Sequence, residues 1–147
     1  MQLLTKHLGE IEIDSDKVIS FELGLPGFLE ETKFVIIDLP ENDLIKILQS
    51  TKSPNVAFFI TNPHHFKIDY EFTLDESTIE ILGIKSEKDV LIYSIMTIKE
   101  PFKASTINLQ APIIINFHKN LGKQFIINDS TYNMRYPISP LSKKGSE

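Results

Sequence analysis

The sequence predicts a mainly β fold, a single antiparallel barrel-like domain with one or two short helices. Three observations predict it. Twenty-two isoleucines dominate the apolar residues, and they fall in short runs rather than at helical spacing. Runs of β-branched and aromatic residues favour strands. The runs recur along the chain between turn formers, the pattern of an antiparallel sandwich or barrel. With 147 residues, the chain has the size of one domain, and such a chain buries about 70% of its unfolded surface, enough for an independent core.

The elements follow in order. A first strand is expected at residues 3–8, closed by Gly9, and Glu10 to Ile13 then alternate strictly, burying one face. Asp14 to Lys17 form a turn cluster before a strand at 18–21. Further strands are expected at 33–39, 45–50, 56–61, 68–73, 90–98, 104–109, 112–117 and 123–127. The best helix lies at 74–83, where Asp75 can cap the N-terminus and Gly83 can end it. Ser86 to Asp89 and Phe28 to Glu31 suggest single turns. Residues 1–137 are expected to form the domain, and 138–147 a flexible C-terminal tail.

Composition excludes whole classes. At 41% hydrophobic and 24% charged residues the chain is not intrinsically disordered. No apolar run approaches the roughly 18 residues that span a bilayer, and the first residues lack the features of a signal peptide. There is no cysteine, hence no disulfide, thiolate nucleophile or cysteine-based metal site. A soluble cytoplasmic protein is expected. Net charge is −5, which argues against non-specific nucleic-acid binding. Residues 1–100 carry 18 acidic and 9 basic groups, a balance of −9, and residues 101–147 carry 2 and 6, a balance of +4. The acidic segment favours a basic partner or is ordinary solvated surface.

Catalytic motifs are missing. His64 and His65 are neighbours, which on a strand point to opposite faces, and His7 and His118 are remote, so no metal set is expected. No nucleophile elbow or phosphate-binding glycine loop occurs. Asp69 and Glu71 would share one strand face with Lys67, which holds both ionised; a charged strand edge fits better than a glycosidase pair.

Turn motifs carry more information. Pro26-Gly27 suits the centre of a type II turn, flanked by Phe21 and Phe28, which would pack into one core. Thr61-Asn62-Pro63 ends an apolar strand, because Pro63 cannot donate to a ladder. Asn108 to Asn116 joins two strands through Ala111-Pro112, with asparagines at both ends placed to satisfy loop backbone groups.

Taken in order, these motifs resemble the flagellar assembly factor FliW family. The resemblance is carried by Gly24-Leu25-Pro26-Gly27-Phe28, Leu48-Gln49-Ser50, Ala57-Phe58-Phe59-Ile60 with Thr61-Asn62-Pro63, and Asp69-Tyr70-Glu71-Phe72. It continues through Asn108-Leu109-Gln110-Ala111-Pro112-Ile113 to Asn116 and Gly122-Lys123-Gln124, covering about Thr5 to Pro137. The histidine pair and the tail depart from the family's pattern.

The resemblance implies a mainly β, barrel-like domain with no enzyme activity and no cofactor. It implies two alternative protein partners: CsrA, a dimeric RNA-binding repressor of flagellin translation, and flagellin itself. Flagellin in the cytoplasm would occupy the chain; once flagellin is exported, the free chain would bind CsrA and relieve repression, acting away from the RNA-contacting surface. Direct nucleic-acid or membrane binding is not implied, and a monomer before partner binding is the default. For CsrA the expected contact is Thr61, Asn62, Pro63, Asp69, Tyr70, Glu71 and Phe72. Tyr70 and Phe72 share a face and serve either an interface or the core. Gly24, Leu25, Pro26, Gly27, Phe28, Asn108, Ala111, Pro112 and Asn116 are expected to be scaffold. The alternative function is a small-molecule- or carbohydrate-binding barrel, its carbohydrate form weakened by the absence of tryptophan. Direct RNA binding is a third reading, disfavoured by the acidic first 100 residues.

Overall fold

Strand propensity and turn chemistry together produce a ring of strands. The computed structural model of the chain describes residues 1–128 and 131–139. In order, the elements are β1 (Gln2–Leu4), β2 (Glu10–Glu12), β3 (Ile19–Ser20), β4 (Lys33–Leu39), β5 (Asn42–Ser50) and β6 (Ala57–Thr61). They continue with α1 (Glu76–Leu82), β7 (Val90–Thr97), β8 (Thr106–Ile107), β9 (Ile113–Asn116), β10 (Leu121–Gln124) and β11 (Tyr136–Pro137). β1 and β2 form a separate hairpin in which Leu3 faces Ile11. The main sheet runs β7-β6-β5-β4-β3-β10-β9, and β9 pairs back onto β7, so the ring of pairings closes. β8 and β11 extend it beside the C-terminal end of β7.

The seams of this barrel-like ring are unequal. β4 and β5 stay in register from Phe34↔Ser50 to Asp38↔Lys46. β6 and β7, by contrast, pair only at Ile60↔Ile95 and Thr61↔Ser94. The purely antiparallel expectation needs one correction: β3 and β10 pair in parallel, at Leu121↔Ser20. Short strands suffice there because side-chain and turn bonds share the work, Ser20 N–H donating to Asn120 O at 2.8 Å and Asn120 Nδ2 to Asp16 O at 2.8 Å.

Side-chain alternation splits the apolar residues into two layers. Ile19, Phe21, Phe34, Leu48, Ile60, Ile113 and Ile115, with half-buried Tyr93 and Ile95, fill the inside of the ring. Gly122 is the place where β10 makes room for them, since a Cβ there would lie 2.5 Å from Phe21 Cζ. The outer layer packs Ile45, Met96, Ile107 and Ile114 of the sheet under Tyr70, Leu82, Leu109, Phe125 and Ile127.

The helix obeys its caps. Asp75 Oδ1 accepts from Thr78 N–H at 2.9 Å, the Thr78 side chain and then this backbone bond hold its carboxyl below the usual carboxylate range, and Gly83 ends the helix at φ 63°. The turn after it also forms as expected, with a reciprocal Ser86–Asp89 capping box. Pro26-Gly27 forms its turn with Phe28 N–H donating to Leu25 O at 2.7 Å and Gly27 at φ 83°.

Other expectations fail: the first strand ends at Leu4, and of the strand at 104–109 only Thr106–Ile107 forms. Phe28 is not core: it is 40% exposed and meets Phe58 edge-on at 5.4 Å, while Phe21 alone is buried. Residues 68–73 form no strand; the alternation of burial is present, but the turn at Pro63–His65 and another closed by Tyr70 N–H to Lys67 O (3.1 Å) carry the segment off the sheet. The expected strand at 123–127 ends at Gln124, with Phe125 and Ile127 donating instead to Pro112 O and Gln110 O, each at 2.8 Å. Ile138 packs on the outer layer, and residues 140–147 of the expected tail lie outside the described residues.

Candidate functional site

The short β6–β7 seam positions the site. Asn62 leaves β6 extended, and its Oδ1 accepts from His64 N–H at 2.9 Å, starting the turn in which Pro63 is buried. His64 then lies under the returning chain, its Nε2 2.9 Å from Tyr70 O. The Tyr70 hydroxyl donates to Leu109 O at 2.6 Å, and burial pushes its pKa up, so it remains a donor. Around it stand Phe72 at 5.3 Å and Tyr132, edge-on, at 4.8 Å. Phe72 stacks in turn on Phe125 at 5.8 Å. The Tyr132 hydroxyl donates to Glu71 O at 2.6 Å and accepts from Glu71 N–H at 3.2 Å. The segment is therefore fixed by aromatic packing and side-chain bonds in place of a ladder.

Its acidic side chains point outward. Lys67 Nζ lies 3.1 Å from Asp69 Oδ1, which raises the lysine's pKa, so Lys67 pairs with Asp69 while Glu71 stays exposed. Between this segment and the first half of β7 lies a groove of about 770 Å³. Phe72, Leu74, Ile79, Ile84 and Ile92 give it an apolar lining, and Glu71, Glu87 and Lys85 also line it.

The expected contact residues do not all reach this surface. Asn62, Tyr70, Glu71 and Phe72 line the groove. Asp69 is exposed beside it in sequence, whereas Thr61 is 1% exposed, with its hydroxyl donating to Leu44 O at 2.6 Å, and Pro63 is buried. The residues missed by sequence reasoning are Ile79, Ile84, Lys85, Glu87 and the edge of β7. Ile79 carried a signal: on a seven-residue helix that buries Thr78 and Leu82, it is an apolar residue left 37% exposed.

The scaffold motifs lie elsewhere. Asn108 Oδ1 accepts from Gln110 and Ala111 N–H at 3.0 and 3.1 Å. Asn116 Nδ2 donates to Leu82 O at 2.8 Å and its Oδ1 accepts from His118 N–H at 3.0 Å, tying β9 to the end of α1. Pro112 is buried, and Leu25 is 1% exposed. Among the described residues, no group of three or more His, Cys, Asp or Glu side chains could hold a metal ion, and no helix is long and apolar enough to cross a membrane.

A closed strand ring, one short helix in an outer layer and a groove at an incomplete seam define a class of small barrel-like β proteins. A profile of the FliW protein family matches residues 2–138. The flagellar assembly factor FliW of Oceanobacillus iheyensis is 49% identical over 146 residues, covering 99% of both chains. That of Bacillus subtilis is 46% identical over 138 residues, covering 94% of this chain and 96% of its own. A crystal structure of the flagellar assembly factor FliW superposes with a TM-score of 0.91 at 42% identity, covering 95% of this chain and 98% of the other. The chain belongs to the FliW family, a family of assembly factors and not of enzymes.

Proposed function

We propose that this chain is a flagellar assembly factor that works by protein binding, sequestering the translational repressor CsrA and, alternatively, flagellin. The observation that carries the reading is family membership over residues 2–138, with a FliW relative aligned over 99% of both chains. In this scheme cytoplasmic flagellin occupies the chain, and its export frees the chain to antagonise CsrA allosterically. The two partners must compete, because a chain that held both at once would not report flagellin level to CsrA. The chain is monomeric until it binds. Its charge supports the CsrA half: residues 1–100 carry −9, and an acidic body steers toward a basic, RNA-binding partner.

The proposed CsrA contact is the exposed edge of the segment after β6: Asn62, Asp69 and Glu71, with Tyr70 and Phe72 behind them. Thr61 and Pro63, being buried, hold the turn rather than touch the partner. Reversing both charges, Asp69→Lys with Glu71→Lys, should slow CsrA association about tenfold at low salt and less at high salt. Unchanged association by a folded double variant would remove this surface from the proposal.

The deciding experiment is calorimetric titration with CsrA, before and after saturation with flagellin. CsrA binding that flagellin abolishes supports the switch. A folded chain that binds neither refutes it and revives a small-molecule role for the groove.

A further inference from the structure

We propose that the groove is a strand-addition slot, in which an extended, apolar segment of a partner protein with basic flanks pairs with the free edge of β7. The first observation is which residues line it. Val90, Leu91, Ile92 and Tyr93 all do so, and four consecutive residues of a strand cannot all point side chains one way. The groove therefore presents the edge of β7, its main chain, beside the patch of sheet face that carries Ile92 and Ile114.

Register shows why that edge is open. Residues Val90 to Tyr93 pair with β9 from Val90↔Asn116 to Tyr93↔Ile113. On the opposite side β6 accompanies β7 only at Ser94 and Ile95, and then turns away at Pro63. Ile95 O accepts from Asn108 N–H at 2.9 Å, which places the polar groups of Ile95, and by alternation those of Tyr93 and Leu91, toward β8 and β9. Those of Ile92 and Val90 then face the groove. Val90 N–H is taken by Glu87 O. Ile92 N–H, Ile92 C=O and Val90 C=O have no bond to any described residue on that side.

The far wall is similar. Phe72, Thr73 and Leu74 lie outside any element, Phe72 and Leu74 half-buried and Thr73 exposed, and among the described residues their backbone groups make no hydrogen bond. Native proteins blunt such edges with proline, lysine or a covering element. Here the edge is Val90-Leu91-Ile92-Tyr93, all strand formers, and it is uncovered.

The chemistry of the occupant follows. Only an extended backbone offers donors and acceptors at the strand repeat of about 3.3 Å per residue. Alternate side chains would enter the lining of Phe72, Leu74, Ile79 and Ile84, so they are apolar. Glu71 and Glu87 outnumber Lys85 among the lining charges, so basic flanks fit and acidic ones do not. The proposal rests on the reading that this chain binds proteins, but not on which ones.

The test uses the full chain and a heptapeptide that alternates valine and threonine between terminal lysines, with two control peptides N-methylated at odd or at even positions. Backbone amide exchange is followed residue by residue at millimolar peptide. Exchange at Ile92 should slow at least about tenfold. The control methylated at the amides that face β7 should lose about tenfold in affinity. Unchanged exchange at 90–93, or undiminished binding of both controls, overturns the proposal. So does protection that grows with protein concentration alone, which would make a second copy the occupant. CsrA and flagellin titrations report separately on the function above, so the two failures are distinguishable.

Discussion

Gly24 and Gly27 stand three residues apart in one loop, both at positive φ, 67° and 83°, and differ in what surrounds them. A Cβ on Gly27 would meet nothing within 4 Å. A Cβ on Gly24 would lie 2.5 Å from Leu29 O and 2.7 Å from Leu29 Cα, and both are backbone atoms that a rotamer change cannot move. Gly27→Ala should therefore cost only the left-handed conformation, about 1–2 kcal/mol. Gly24→Ala adds an overpacking cost of about 1–3 kcal/mol, for a total of roughly 2–5 kcal/mol. Urea unfolding followed by far-ultraviolet circular dichroism separates them. With m about 2 kcal/mol/M, the midpoint falls by about 0.5–1 M for Gly27→Ala and about 1–2.5 M for Gly24→Ala, with unchanged m. Equal losses would mean that the loop slides away from Leu29 freely, and the steric half of the reasoning would fail. CsrA affinity per folded molecule should be the same in both variants; a selective loss of affinity would instead make this loop a contact surface.

Asn116→Ala should cost about 1–3 kcal/mol by leaving Leu82 O and His118 N–H without their partner. Asn116→Asp should be worse, because a carboxylate would face Leu82 O; thermal melts that rank the two in reverse would contradict the assignment of Nδ2 and Oδ1. Glu31 accepts from Ser50 Oγ at 2.5 Å and Ser53 Oγ at 2.8 Å, and these bonds lower its pKa. Its contribution is then complete above the unfolded glutamate value of about 4.3 and is lost as pH falls through the lower folded value. The melting-temperature gap between the parent chain and Glu31→Gln should accordingly close on acidification, and a gap constant from neutral pH to pH about 3 would refute this.

Features fixed by local chemistry were legible in the sequence. Gly27 and Gly83 announce turns because positive φ suits glycine, and Asp75 announces a helix because its carboxylate caps the orphan amides. Features that depend on distant pairing were not. Asp69 to Phe72 alternate in burial as a strand would, yet whether a ladder forms depends on where the neighbouring chain lies, and here Tyr132 supplies the bonds. The same limit hid the parallel β3–β10 pair and the two-residue β11. It also misplaced Phe28, since an aromatic beside a glycine turn looks the same whether it is buried among the interior residues or stays exposed against one at their margin, half-buried Phe58. The groove was half visible: its outer wall carried the family motif, but the edge of β7 looks like any buried strand until its partner is seen to leave.

The parallel join of β3 to β10 also bears on how the ring comes to exist. Asn120 reaches back to Asp16 across 104 residues, and β3 has β4 alone on its other side. During synthesis the β4–β5–β6 meander can form early from local hairpins, but the circle stays open until β9 and β10 have left the ribosome. Loop-closure entropy makes such late, long-range pairing slow. The interior residues Phe21 and Ile19 are exposed until then, so the rate-limiting step should be this closure. Weakening the Asn120 latch should slow refolding more than it speeds unfolding.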